Sequence, residues 1–340
     1  MLRSTIGVSP RLLISCLCAL ASPAFATETV IYGKVHMSVE GIHTGLGNDA
    51  AVSSNASHIG FKGSDMLGDW AAATWRLESD IDVSGERGFL RARNRYVGIA
   101  TKFGSVTVGV HDTPWKSVGL QFDVFDDTLF DARNLLGITP YASLDSDAKN
   151  SVYFKSPLWG GIQLNALQSA GEEKGLNGGD VTRLSSVSIT FKSEAIKLAA
   201  AYERQDLFKT SALRLNGSMR IAMFRVNGIY ERVESSAFPL ASHEVLGGNA
   251  TIAFGRGFSI LAQGVGVLNS AASKFVALMG CGGLNYSPAK PVQLYLIGGQ
   301  MINGSASSYP LGNGGHGEQY ALSAAGEDPY GVTFGIIYKF

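Results

Sequence analysis

Stretch after stretch of this chain alternates apolar and polar residues with a period of two, and the polar side carries charge. In residues 69–80, Ala71, Ala73, Trp75 and Leu77 share one parity, while Thr74, Arg76, Glu78 and Asp80 share the other. In 29–40, Ile31, Val35, Met37 and Val39 oppose Lys34, His36, Ser38 and Glu40. In 149–156, Val152 and Phe154 oppose Ser151, Tyr153 and Lys155, and in 224–234, Phe224, Val226, Gly228 and Tyr230 oppose Arg225, Asn227, Ile229 and Glu231. A soluble sheet hides one face of each strand, and a hidden charge without a partner is costly. A barrel in a membrane uses both faces, apolar toward lipid and charged toward a wet lumen. A long soluble sandwich or solenoid is the alternative that periodicity alone leaves open.

The same reading marks strands at 29–40, 57–63, 69–80, 91–101, 104–111, 149–156, 160–169, 182–192, 195–205, 211–221, 224–234, 244–254, 257–268, 273–286, 291–302 and 330–340. Sixteen is an even number, as an antiparallel closed barrel requires. The last strand ends GVTFGIIYKF, with Phe334, Ile336, Tyr338 and Phe340 on one parity. An apolar terminal strand frays in water unless it is tied down, and pairing with the first strand would close the ring.

Residues 1–26 read as a cleaved signal peptide: Arg3 and Arg11 in front, an apolar run from Leu12 to Leu20, then Ala24-Phe25-Ala26. The run is too short for a spanning helix. Leu13-Ile14-Ser15-Cys16 resembles a lipoprotein box, but it lies close to Arg11. The expected layout is therefore a signal over 1–26 and a single barrel over 27–340. Without the signal the chain is close to neutral, which argues against a nucleic-acid partner. Cys281 is then the sole cysteine, so no internal disulfide forms.

Turns alternate in length. Asp65–Gly68, Lys102–Gly104, Ser193–Glu194, Ala222–Met223 and Gly255–Arg256 are short, while 41–56, 81–90, 112–148, 170–181, 235–243 and 303–329 are long. Short turns on one rim and long loops on the other are the outer-membrane pattern. The glycine-rich 303–329 stretch is expected to be a mobile outer loop. Residues 112–148 differ. They carry Trp115, Phe122, Phe125, Leu129, Phe130, Leu135 and Leu136, and seven Asp (112, 123, 126, 127, 131, 145, 147) against Lys116 and Arg133. A loop folded into the lumen satisfies both facts, with the apolar residues on the wall and some acids in water. An external flap is the alternative. The aromatics Trp115, Phe122, Phe125 and Phe130 would line a sliding path in a solute-specific channel, or simply pack on the wall.

VIYGKV at 30–35, SHIGFKGSDMLGDWAAATWRLE at 57–78, RARNRYVGIATKFGSVTVG at 91–109, DTP at 112–114, KNSVYFKSPLWGG at 149–161 and the closing GIIYKF occur in order along the chain. On these pieces the chain resembles the general porins of Gram-negative bacteria, in the branch found in Neisseria and beta-proteobacteria. The resemblance implies an all-β, 16-stranded antiparallel transmembrane barrel of the general porin type. It implies an outer-membrane channel through which small hydrophilic solutes and ions diffuse passively, with no cofactor and no catalysis. It also implies a homotrimer, contacts with outer-membrane lipids and lipopolysaccharide, and delivery by the outer-membrane assembly machinery. Phe334, Ile336, Tyr338 and Phe340 match the family's assembly signal in spacing.

Carried over by position, 112–148 is the family's inward-folded constriction loop. Asp123, Asp126, Asp127 and Asp131 are the expected acidic side. Arg76, Arg91, Arg93, Arg95 and Lys155 are the expected basic side. If Arg91, Arg93 and Arg95 all face the lumen, Val97 and Ile99 share that face unless a bulge intervenes. The family usually has Gly-Arg-Gln before the loop, and here the residues are Gly109, Val110 and His111. One wall charge is therefore missing, and His111 would replace it only when protonated. No G-x-S-x-G or H-E-x-x-H is present, so nothing points to an enzyme. No metal site is assigned.

Overall fold

The computed structural model describes residues 28–45, 47–85, 91–138, 143–171, 183–206, 209–239, 242–268, 276–318, 320 and 324–340. The signal-peptide expectation for 1–26 lies outside them. Seventeen strand segments form one closed antiparallel sheet. They are β1 (Glu28–His43), β2 (Asn48–Ser54), β3 (His58–Met66), β4 (Ala71–Asp80), β5 (Arg91–Thr101), β6 (Gly104–Asp112), β7 (Asp147–Lys155), β8 (Ile162–Ser169), β9 (Leu184–Lys192), β10 (Ile196–Gln205), β11 (Thr210–Ile221), β12 (Phe224–Ser235), β13 (His243–Gly255), β14 (Phe258–Leu268), β15 (Ala277–Ala289), β16 (Val292–Asn303) and β17 (Tyr330–Lys339). One helix, α1 (Pro114–Phe122), follows β6.

Segments β2 and β3 both pair with β1, along its second and first halves. They form one wall strand interrupted at 55–57, so the barrel has sixteen strands. At the break Ala56 turns left-handed (φ 42°), and the Ser57 hydroxyl accepts from the His36 amide in place of a backbone partner (2.9 Å). The stretch 41–56, expected to be a long connection, is therefore mostly strand: its described residues include the end of β1 and all of β2, paired antiparallel.

Strand β17 pairs with β1 and closes the ring, with Phe334 opposite Val39 and Tyr338 opposite Val35. Its outward residues are apolar. Val332, Phe334, Ile336 and Tyr338 are each about half exposed, whereas Thr333 between them is 0% exposed. The same inversion runs round the wall: Val97, Val187, Leu198, Leu246, Leu284 and Leu296 point outward, while Ser38, Ser186, Glu203, Asn216, Asn227 and Gln263 are buried inside. Such a surface suits lipid and not water. No helix among the described residues is long and apolar enough to cross a membrane.

The interior is not uniformly polar. From β12 round to β1 the wall turns Ile229, Val245, Val265, Met279, Ile297, Met301 and Ile42 inward. Phe122, Phe125, Leu129, Phe130, Leu135 and Leu136 of the segment after β6 pack against them, all at most 1% exposed. A dry core thus fills one sector of the lumen, and polar cavities remain toward β3 to β7.

Candidate functional site

The segment between β6 and β7 starts with an N-cap: Thr113 Oγ1 accepts from the Lys116 amide (3.1 Å), and Pro114 opens α1. At the other end of α1 the wall satisfies the free carbonyls. Asn216 donates to the Val118 carbonyl (3.1 Å) and Asn249 to that of Phe122 (2.9 Å). Gln263 does the same for Phe130 (3.2 Å). The chain then returns through a knot of charge. Arg133 donates to Asp126 (2.7 Å), Asp127 (2.8 Å) and Asp131 (2.6 Å), and Lys34 of β1 reaches Asp127 (2.5 Å).

The second tether is Arg214 on β11, which is fully buried. It bonds Asp145 (2.9 Å) and Glu231 (2.7 Å), donates to the Trp115 carbonyl (3.2 Å), and lies over the Trp115 ring at 4.1 Å. Glu231 in turn accepts from the Gly137 amide (2.8 Å). One wall arginine thereby holds both ends of the segment.

A polar cavity of about 310 Å³ remains beside this segment. Asp126, Asp127, Arg133 and Asp145 line it from the segment, and Arg93, Asp80 and Asp82 from the wall side. A second cavity of about 200 Å³ adjoins Asp112, Arg76, Tyr96, His111, Tyr153 and Lys155. Lys116 spans the two, bonding both Asp112 and Asp147 (2.6 Å each). Burial opposes charge on Lys116, but Asp112 and Asp147 outweigh it and raise its pKa.

The four expected acids separate into two pairs. Asp126 and Asp127 line the cavity. Asp123 instead accepts from the amides of Phe125 (2.7 Å) and Ala132 (2.5 Å), and Asp131 is 0% exposed, accepting from the amides of Asp127 and Arg133. These two shape the segment and do not form a rim, which corrects the expectation. Burial, Asp131 and Asp126 hold the Asp123 carboxyl well above its ordinary range. Burial would raise Asp127 too, but Lys34 and Arg133 hold it far below. Burial and the neighbouring Asp127 push Asp126 up to about 7, against the pull of Arg133. Asp126, Asp127 and Asp131 lie close together, and Arg133 and Lys34 already occupy them as cationic partners.

On the wall, Arg93 bonds Glu78 and Asp80 (2.8 Å each), and Arg76 bonds Glu78 and donates to the Tyr32 hydroxyl (2.6 Å). Lys155 shares the inward parity of Tyr153. Arg91 opens β5 opposite Asp80. Arg95 is a correction. The β4–β5 register slips between Leu77 and Ser79, leaving Glu78 opposite an extra residue. Below that bulge Arg95 shares the outward face of Val97 and Ile99, which are 55% and 46% exposed. His111 is no spare wall cation either. It is stacked between Tyr96 (4.9 Å) and Tyr153 (5.4 Å) and bonded to the hydroxyls of Thr107 and Ser151 (2.8 Å each). Trp115, Phe122, Phe125 and Phe130 are packed away and line no path.

The stretch before β17 was expected to be mobile and external. Its described residues from Leu311 to Tyr320 fold largely inward instead. Leu311 and Tyr320 join the dry core, His316 bonds Glu40 of β1 (3.0 Å) with both side chains fully buried, and Asn313 and Gly317 donate to Asn134 and Asn55 (2.8 Å each). Glycine explains the fit: a Cβ at Gly315 would overlap the Asp127 carboxylate. The wall and loop partners that sequence reasoning missed are Lys34, Glu40, Glu78, Arg133, Arg214 and His316. Only the parity of Lys34, Glu40 and Glu78 was visible beforehand.

A profile described as Gram-negative porin matches residues 14–272. Major outer membrane protein P.IB of Neisseria gonorrhoeae is 27% identical over 175 residues, 49% of this chain and 50% of the relative. Major outer membrane protein P.IA of Neisseria meningitidis serogroup B is 34% identical over 113 residues, 33% of this chain and 28% of the relative. The chain thus spans about half the length, or less, of these curated relatives. Among solved structures, an anion-selective porin from Comamonas acidovorans superposes over 92% of this chain and 100% of its own (TM-score 0.79, 19% identity). The trimer form of OmpT from Vibrio cholerae covers 93% of this chain and 100% of its own (TM-score 0.72, 13% identity).

Proposed function

Because the chain belongs to the Gram-negative porin family, we propose that it forms an outer-membrane channel for passive diffusion of small hydrophilic solutes and ions. The observation that carries this is the split interior: a dry core fixes the segment after β6 to one side, and a charged passage remains between it and strands β3 to β7. The segment 112–148 acts as the constriction, with its Lys116, Asp126, Asp127 and Arg133 lining the same cavity as Arg93 of the wall. Acids and bases interleave across it, and nearly all are paired, so ion preference is weak and follows whichever charge is free. A homotrimer is part of the reading, supported by a structural neighbour solved as a trimer. A channel specific for one solute finds less support, since the aromatics it needs are buried.

Conductance and reversal potential in planar bilayers test the proposal. A membrane that stays nonconducting with the folded protein overturns it. Asp126 supplies a pH signature. Its carboxyl is neutral below about pH 7 and charged above, so cation preference should rise between pH 6 and 8. Asp126→Asn should abolish that rise. A pH response unchanged in the variant would remove Asp126 from the passage.

A further inference from the structure

Two adjacent hairpins carry like charges directly opposite each other. Lys192 faces Lys197 across β9 and β10, and Arg220 faces Arg225 across β11 and β12. Such pairs destabilise a sheet. All four residues share the parity of buried inward residues, Ser188 on β9, Ala201 and Glu203 on β10, Arg214 and Asn216 on β11, and Asn227 on β12. They therefore point into the lumen, next to the short turns 193–195 and 222–223. Lys192, Arg225 and Arg220 all repel Lys197. On the inward face Lys197 lies opposite Ser218 and Arg225 opposite Thr251, and Thr190 and Asn227 are the next inward residues along β9 and β12; none of these is charged. Glu194 in the turn is the nearest acid in sequence. Among the described residues, no carboxylate comes within 4 Å of any of the four, unlike Arg76, Arg93, Arg133 and Arg214, which are all paired.

We propose that Lys192, Lys197, Arg220 and Arg225 form a binding site for a small multivalent oxyanion at the short-turn mouth of the lumen. Two or more negative charges on one ligand relieve both repelling pairs together, which a chloride does only in part. Inward parity separates the site from lipid headgroups outside the wall. The cluster draws oxyanions to this end, so the channel treats the two membrane sides differently. Access to the site rests on the channel reading above; the binding itself does not.

Calorimetric titration of the folded full-length protein with inorganic pyrophosphate tests it. Saturable binding is expected, weakening with added salt. K197Q/R220Q should weaken it by about tenfold or more, since charge attraction is its main source. The same variant should unfold at higher denaturant, because it removes one member of each repelling pair. Equal affinity in wild type and variant overturns the proposal. In bilayers, pyrophosphate should block from the short-turn side at lower concentration than from the other, and equal potency from both sides also overturns it. Binding without any ion conduction would support the site while sinking the channel reading, so the two failures are distinguishable.

Discussion

Replacing Arg214 with Ala is expected to unlatch the segment after β6 while leaving the barrel closed. Arg214 is 0% exposed and holds Asp145, Glu231 and the Trp115 carbonyl at once. Its loss strands two carboxylates, and breaking a buried pair on one side costs about 3–5 kcal/mol. That penalty falls on the contact between segment and wall. The sheet ladder does not pass through it. Single-channel conductance should therefore rise and become noisy, and the unfolding midpoint should drop. A triple variant, R214M/D145N/E231Q, leaves no charge unpaired and should recover much of the stability. Conductance in R214A equal to wild type would show that this tether does not set the passage.

Phe334→Arg should have the largest effect on the barrel itself. Phe334 is 52% exposed, near the middle of β17, between Val39 and Leu296 on the outer face. A charge placed there meets hydrocarbon, at a cost of about 2–4 kcal/mol near the membrane midplane. A lysine one parity over, Lys339, is tolerated because it sits on the inward face near the strand end. Urea titration of the barrel in lipid vesicles reads the difference. No change in the midpoint would mean that this face does not meet lipid.

The two variants mark different depths of legibility. The outward place of Phe334 follows from its neighbours in sequence, since strand residues two apart share a face. The role of Arg214 does not, because its partners lie 17 and 69 residues away. Arg95 failed for a related reason. Parity holds only while the register is unbroken, and one extra residue opposite Glu78 exchanged its face. The stretch before β17 looked like an exposed loop because glycine is common in mobile turns. In the folded chain its glycines permit close approach to Asp127 and Asp131. Segment β2 was overlooked because NDAAVSS hardly alternates, and only pairing with β1 makes it a strand.

Sequence alone determined the architecture: all-β, an even ring of antiparallel strands, apolar outside, closed by its last strand on its first. The strands and their apolar faces follow from a period of two, which is local; the closed ring followed only with the strand count, the apolar terminal strand and the resemblance to porins added. It also singled out 112–148, because a long connection rich in aromatics must pack on something. Tertiary structure alone decided which charges meet, which acids face water, and which side of the lumen stays open. Ion pairing depends on distances across the barrel, set by register, a bulge and a dry core of 21 buried residues, among those described, drawn from many separate positions. No local pattern carries that information.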